Sequence, residues 1–152
     1  MEKSKNQVHL SFYKENEGCV DVYILAPGIS ISFNQIYTNS WMKGDSSIFS
    51  AQMLIFNFCM NGRCDVSLAQ NKYAIVKERQ VCISTILPTK DFYYPGRRYE
   101  GIQFYIDRSV LKQSDGKNLL TWFGVNVEQM VEVFCGKNGL YERTKLRNLS
   151  EN

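Results

Sequence analysis

The stretch that decides the fold reads MLIFNFCMNGRCDVSL and occupies residues 53–68. Its first half, Met53–Met60, is apolar at nearly every position, as expected of a strand that is covered on both faces. Asn61-Gly62 follows, and both residue types tolerate the positive φ of a type I′ turn. The pattern therefore predicts a central strand that turns back at Asn61-Gly62 and pairs with Arg63–Leu68.

Short runs rich in aromatic and β-branched residues recur along the chain between Gly, Asn, Asp and Pro, a pattern typical of a sandwich or barrel. Gln70-Asn71 and Lys77–Arg79 are predicted as the next two tight turns of a meander. The eight predicted strands are His9–Tyr13, Val20–Leu25, Ile29–Tyr37, Met53–Met60, Arg63–Leu68, Lys72–Val76, Gln80–Leu87 and Ile102–Asp107.

Apolar and polar residues alternate in the third run. Ile29, Ile31 and Phe33 are separated by single polar residues, as on a half-buried strand. This period breaks near Gln35-Ile36, which predicts a β-bulge there.

The pattern becomes helical after Asp107. Asp107 is predicted to cap a short helix over Arg108–Gln113, and a second helical segment is expected over Asn118–Phe123. Asn126 opens a third helix, which Gly136 ends. The predicted fold class is therefore mainly β: a small antiparallel barrel followed by C-terminal α-helices.

Length and composition fit one domain. The chain has 152 residues, 44% of them hydrophobic, and we expect a flexible segment at 1–7, a folded domain at 8–139 and a polar tail or linker at 140–152. Within the domain, the barrel takes 8–107 and the helices take 108–135. No apolar run reaches the roughly 18 residues of a membrane span, and the first residues are charged, so we expect a cytoplasmic protein without membrane contact.

The residues that carry most metal and acid–base chemistry are scarce or scattered. His9 is the only histidine, whereas metal sites usually need three or four ligands, so we expect no metal and no cofactor. Five cysteines, an odd number among apolar neighbours, suit reduced buried thiols better than disulfides. The carboxylates are dispersed, and no cysteine is favoured as a partner of His9, so no catalytic residues are assigned and an enzyme is not expected.

The basic excess is small. Eighteen Lys and Arg residues against fifteen Asp and Glu give a net charge of +3, and the excess is scattered rather than clustered in a stripe. Direct contact of this domain with nucleic acid is therefore not expected.

Residues 57–65, which read NFCMNGRCD, resemble a signature of the cupin-like N-terminal domain of AraC-type transcription regulators, where an aromatic-rich strand leads into Gly-Arg-Cys and an acid. Gln80–Ser84 resembles that family's apolar-Ser strand, whereas Lys77–Arg79 departs from its usual Gly-Asp turn. The resemblance covers roughly residues 53–139. Further similar positions are Phe92, Pro95, Gly96, Tyr99, Gly101, Ile102 and Asp107 in the barrel and Leu119, Trp122, Phe123, Gly124, Val125, Phe134 and Cys135 after it.

The resemblance implies a cupin-like barrel that senses a small-molecule effector or serves as a dimerisation platform. A DNA-binding domain with two helix-turn-helix motifs would lie outside this chain. Two alternatives stay open at this point: a metal-free cupin enzyme of isomerase type that uses a tyrosine or carboxylate, and a dimerisation module without a ligand.

Two sets of residues are predicted to carry function. A ligand site is expected inside or at the mouth of the barrel, where aromatic walls are common. Its predicted lining is Trp41, Phe56, Phe58, Tyr94 and Phe104. A two-fold homodimer is expected to form through the C-terminal helices, unless the same side chains fill the monomer's own core. The predicted interface is Leu119, Trp122, Phe123, Val127, Met130, Val131 and Phe134.

Overall fold

The computed structural model describes residues 8–41, 52–111, 120–137 and 139–143. Its strands are β1 (Val8–Lys14), β2 (Gly18–Ala26), β3 (Ile29–Ile36), β4 (Ser40–Trp41), β5 (Met53–Ser67), β6 (Tyr73–Lys77), β7 (Val81–Ser84), β8 (Phe92–Tyr93), β9 (Tyr99–Asp107) and β10 (Leu140–Arg143). Its helices are α1 (Arg108–Leu111) and α2 (Val127–Met130), and α2 continues as a π-helical turn over Val131–Cys135. Residues 120–122 are also helical.

All strand pairs are antiparallel, and the main path through the sheet runs β1-β2-β3-β9-β5-β7-β10. The second half of β5 leaves this path and pairs with β6 and β8, and β8 also pairs with β4. As predicted, the apolar run at Met53–Met60 lies in the central strand. The predicted architecture, a mainly β antiparallel barrel followed by helices, is confirmed.

The predicted hairpin at Asn61-Gly62 is wrong, because β5 runs without interruption from Met53 to Ser67. The register between β5 and β9 shifts between Cys59 and Asn61, which indicates a β-bulge at Met60. Gly62 follows this bulge opposite Tyr99, has a φ of +83°, and a Cβ atom there would overlap the carbonyl oxygen of Arg98. The positive φ of Gly62 therefore serves a close strand approach rather than a chain reversal.

The next two predicted turns are confirmed. Gln70 and Asn71 both have positive φ, and Leu68 N–H donates to Lys72 O at 2.9 Å across their turn. Arg79 also has positive φ, and Gln80 N–H donates to Lys77 O at 3.0 Å. Turn geometry is thus kept although Lys77–Arg79 departs from the family's Gly-Asp sequence.

The two faces of the sheet have different partners. On the inner face, one row of cross-strand partners consists of Leu10, Val22, Ser32, Gln103, Asn57 and Cys82. The neighbouring outer-face row consists of His9, Tyr23, Ile31, Phe104, Phe56 and Ile83. The C-terminal helices pack on the outer face of β9, β5 and β7, where Val127 and Cys135 join Leu54, Ile83 and Ile106 in one buried cluster.

On strand β3, polar side chains are buried and an apolar side chain is exposed, which is the reverse of the usual half-buried strand. Ser32 is only 1% exposed and Asn34 is buried, whereas Phe33 on the other face is 44% exposed. The predicted bulge at Gln35-Ile36 is absent from the register of β3, and the shift lies instead opposite Ile29, between Ile24 and Ala26 of β2. The buried polar residues of β3 face a cavity inside the barrel.

The predicted helix caps at Asp107 and Asn126 are confirmed. Asp107 Oδ1 accepts from Ser109 N–H at 3.0 Å at the start of α1, and Asn126 Oδ1 accepts from Gln129 N–H at 3.0 Å at the start of α2. Gly136, with a φ of +47°, follows the π-helical turn. Within the described residues, no helix is long and apolar enough to cross a membrane.

The sheet extends past the predicted domain end at residue 139. Leu140–Arg143 forms β10, which pairs antiparallel with β7. The predicted tail therefore begins with a strand.

All five cysteines are free, as predicted. Cys59, Cys64, Cys82 and Cys135 are buried, and Cys19 is partly exposed. Burial raises the pKa of the Cys59 thiol to about 11 and raises that of Cys64 further. These buried thiols are neutral near pH 7.

Candidate functional site: a cavity with a neutral polar floor

A cavity of about 830 Å³ lies inside the barrel between β1–β3 and the inner face of β9. Three groups of side chains line it. The apolar wall consists of Phe12, Val20, Val22 and Ile24; the aromatic end consists of Trp41, Phe92 and Tyr94; and the polar floor consists of Ser32, Asn34, Gln103 and Tyr105. This volume lies within the usual range of small-molecule sites.

The polar floor contains no ionisable group that is charged at neutral pH. The Tyr105 hydroxyl donates to Gln103 Oε1, and behind the floor the Tyr99 hydroxyl donates to Asn57 Oδ1 at 2.5 Å. Burial raises the pKa of both phenols well above the ordinary tyrosine value. Both tyrosines therefore hold their protons at neutral pH and act as neutral hydrogen-bonding groups.

The Ser32 hydroxyl is the exception in this network. It is buried in the floor without a partner of regular hydrogen-bond geometry. Burial raises the pKa of the neighbouring Tyr105 phenol, and a side-chain hydrogen bond with Ser32 lowers it by a smaller amount. Buried hydroxyls normally have a regular partner, so Ser32 marks a position where an occupant of the cavity can bind.

Two charged side chains also line the cavity, and both have partners. Asp107 Oδ1 caps α1, where it accepts from the Ser109 hydroxyl at 2.6 Å. Lys14 Nζ lies 4.8 Å from the centroid of the Trp41 ring and 3.9 Å from Glu17 Oε2. The strand register places Lys14 level with the start of β9 and Asp107 at its end, so these charges lie on either side of the floor.

The structure places two of the five predicted ligand-site residues at this cavity. Trp41 and Tyr94 line it, and the Tyr94 ring stacks on Tyr99 with centroids 5.0 Å apart. The placement of Phe56, Phe58 and Phe104 inside the barrel is wrong. Phe56 and Phe104 meet edge to face at 6.4 Å on the outer face, under the helices, and Phe58 shares that face. Side chains alternate along a strand, so an error of one position reverses their direction.

The floor residues are not among the predicted site residues. Ser30, Ser32 and Asn34 recur at every second position of β3, and this polar alternation was the available signal. Such alternation ordinarily indicates that the polar face of the strand is exposed to solvent. Only the curvature of the sheet shows that this face points into the barrel.

No metal or nucleophile arrangement accompanies the cavity. The described part of the chain contains no group of three or more His, Cys, Asp or Glu side chains placed to hold a metal. His9 lies on the outer face, where its Nε2 is 3.0 Å from Asp21 Oδ1 and its ring stacks on Tyr23. Hydrogen bonds from Ser11 and His9 lower the pKa of Asp21. This exposed cluster lies on the opposite face of the sheet from the polar floor.

The predicted dimer residues fall into buried and exposed groups. Val127 is buried against the sheet, and Val131 packs on the same cluster. Trp122 and Phe123 are 83% and 70% exposed, with ring centroids 5.6 Å apart. The remaining members are Met130, which is half-buried, Phe134, which is more exposed, and Leu119, which lies outside the described residues.

No protein-family model matches the chain, and no curated protein matches its sequence. Among solved structures, a serine-to-alanine mutant of Bacillus subtilis oxalate decarboxylase is similar, with a TM-score of 0.45 and 12% identity over 98% of this chain and 45% of that one. The same enzyme at pH 4.6 gives a TM-score of 0.44 and 13% identity, over 100% of this chain and 45% of that one. The chain thus spans less than half the length of these neighbours.

Proposed function

We propose that this domain is the ligand-sensing and dimerising domain of an AraC-type transcription regulator, controlling a helix-turn-helix domain outside this chain. The observation that carries the sensing role is the cavity of about 830 Å³, whose floor contains the buried Ser32 hydroxyl without a partner of regular hydrogen-bond geometry. A barrel that serves only as a platform has no need of such a cavity, because small barrels can be filled by their own side chains. The effector is a small molecule bound in that cavity.

The residues that carry the family resemblance support the proposal through their positions. Gly62 lets the start of β9 approach β5 closely, and Arg63 binds the buried Asp65 carboxylate through two hydrogen bonds of 2.6 and 2.9 Å. Tyr99 lies over Gly101, where any Cβ atom would overlap the tyrosine ring. Tyr99 in turn stacks on Tyr94 at the aromatic end of the cavity. The motif residues thus shape the strands behind the site.

The exposed aromatic pair supports the dimerising role. Trp122 and Phe123 add a large apolar surface beside the C-terminal helices, and exposed clusters of this kind often mark interfaces. For identical chains, two-fold symmetry is the commonest closed arrangement. The proposed interface is therefore centred on this pair, while Val127 and Val131 serve the monomer's core.

An isomerase-like enzyme has less support. Tyr99 and Tyr105 donate to amide oxygens, and their raised pKa values disfavour a phenolate base. Asp107, the carboxylate at the cavity, is engaged at the start of α1. A ligand-free module also has less support, because the barrel is not packed solid.

A thermal-shift screen of the purified 152-residue chain tests the proposal. We expect at least one small metabolite to raise the melting temperature, and we expect Ser32→Leu, which projects a larger side chain into the cavity, to abolish the shift. Ser40→Leu is the control, because Ser40 is exposed and does not line the cavity. The same compound should alter repression by the chain fused to a DNA-binding module that lacks its own dimerisation domain. A broad screen without any Ser32-sensitive hit would contradict the sensing role.

A further inference from the structure

We infer that the cavity binds an uncharged amphipathic molecule, with an apolar body and one neutral group that both donates and accepts hydrogen bonds, such as a hydroxyl or a primary amide. This inference rests on the proposed ligand-sensing function and adds the chemical class of the ligand. Three observations support it: the wall of the cavity is apolar, its floor is polar but neutral, and its two charged side chains lie on either side of that floor.

The apolar wall of the cavity is more exposed to solvent than is usual for the inner face of a barrel. Phe12 and Ile24 line the cavity, yet they are 49% and 40% exposed. β1 is an edge strand of the described sheet, because it pairs only with β2. Val20 and Val22 continue the same apolar surface. An apolar ligand body placed here would remove this surface from water, which is the main favourable contribution to binding in such sites.

The floor opposite this wall selects a neutral hydrogen-bonding group. Ser32 presents a hydroxyl, which can donate one hydrogen bond and accept others, without a regular protein partner. Asn34 is buried beside it on the same face of β3 and also lines the cavity. A ligand hydroxyl or amide can exchange both kinds of hydrogen bond here, whereas a purely apolar ligand would leave Ser32 without a partner of regular geometry.

The floor is unfavourable for an ion. A carboxylate or ammonium group at Ser32 would leave water without a counter-ion, because the floor's tyrosines and amides are neutral. Asp107 is held at the start of α1, and Lys14 lies toward the opposite end of the strands, over Trp41. The charge distribution therefore disfavours both fatty acids and amines relative to alcohols and amides of the same length.

A matched series with one eight-carbon chain tests this class. The probes are 1-octanol, octanamide, octanoate and octylammonium, and their Kd values are measured by titration calorimetry at pH 7. We expect the two neutral probes to bind at least tenfold more tightly than the two ions. Ser32→Ala should weaken 1-octanol binding severalfold, whereas Ser40→Ala, at an exposed site outside the cavity, should leave it unchanged.

The failures of the two proposals are distinguishable. Equal or tighter binding of octanoate or octylammonium in a Ser32-sensitive manner would overturn the neutral class while supporting a ligand site. The neutral class would also be overturned, and a ligand site supported, if none of the four probes bound while the thermal-shift screen gave a charged compound whose effect Ser32→Leu abolishes. Failure of the series together with the absence of any Ser32-sensitive hit would overturn both the ligand class and the sensing function.

Discussion

The Tyr99 hydroxyl donates a 2.5 Å hydrogen bond to Asn57 Oδ1, joining β9 to β5 behind the polar floor of the cavity. Both side chains are buried. The bond therefore holds the two central strands in the register that places Gln103 beside Asn57.

Tyr99→Phe should lower the free energy of unfolding by about 1–3 kcal/mol, because it removes the donor and leaves a buried amide oxygen unpaired. Urea denaturation measures this change. Tyr93→Phe is the control: Tyr93 is exposed, and a change within about 0.5 kcal/mol is expected there. Equal effects of the two substitutions would contradict a role for the buried bond.

Gly62→Ala should be much more destabilising than Gly96→Ala, although both glycines have a φ of +83°. At Gly96 no heavy atom lies within 4 Å of the added Cβ, so only the backbone conformation is unfavourable, at about 1–2 kcal/mol. At Gly62 the Cβ also overlaps the Arg98 carbonyl, which should add about 1–3 kcal/mol. Matching losses in thermal or urea unfolding would argue against the close approach of Arg98 to Gly62.

Arg63→Ala should destabilise the domain more than Arg98→Ala. Both arginines bind an acid two residues along a strand, but Asp65 is buried and bound twice, whereas Arg98 and Glu100 make one exposed contact of 3.3 Å. We expect a loss of about 1–3 kcal/mol at Arg63, because its substitution removes two hydrogen bonds from a buried carboxylate, and less than about 0.5 kcal/mol at Arg98. Chemical denaturation of the two variants measures the difference, and a larger loss for Arg98→Ala would refute this ranking.

Stability should fall as the pH rises above 9. Burial raises the pKa of Cys59 from 9.0 to about 11 in the folded state and also raises the pKa of Cys64, Tyr99 and Tyr105. Above pH 9 the unfolded chain therefore loses thiol protons that the folded chain keeps, which favours unfolding. Unfolding free energies measured from pH 7 to pH 11 check this, and a flat profile would be inconsistent with buried neutral thiols. Cys59→Ala should reduce the slope.

The chain should sediment as a dimer at micromolar concentration, and Trp122→Glu should convert it to a monomer. Trp122 is the sharpest site for this test because it is 83% exposed, whereas Met130→Glu would also disturb the half-buried packing of α2. Tyr13→Glu, at a highly exposed aromatic on β1, should leave the dimer intact. A wild-type monomer at every concentration would exclude the proposed interface for this chain.

Local chemistry was sufficient where a signal acts within a few residues. The Asn126 side chain accepts from Gln129 N–H three residues later, so its cap could be predicted from spacing alone. Gln70-Asn71 likewise forms its turn through positive φ at two permissive residues. The apolar run Met53–Met60 identified the central strand, because burial on both faces requires apolar residues at successive positions.

The sequence by itself thus determined the strand-rich order, the central strand, the caps and the free thiols, all of which follow from composition and short-range spacing. Only the tertiary structure decided that Gly62 serves a close strand approach rather than a turn, because its neighbour, the Arg98 carbonyl, is distant in sequence. Tertiary structure likewise decided that Ser32 faces the cavity while Phe56 faces the helices. The side chains of a strand alternate in the same way whichever side is enclosed, so the curvature of the sheet and the helices packed on it select the inner face.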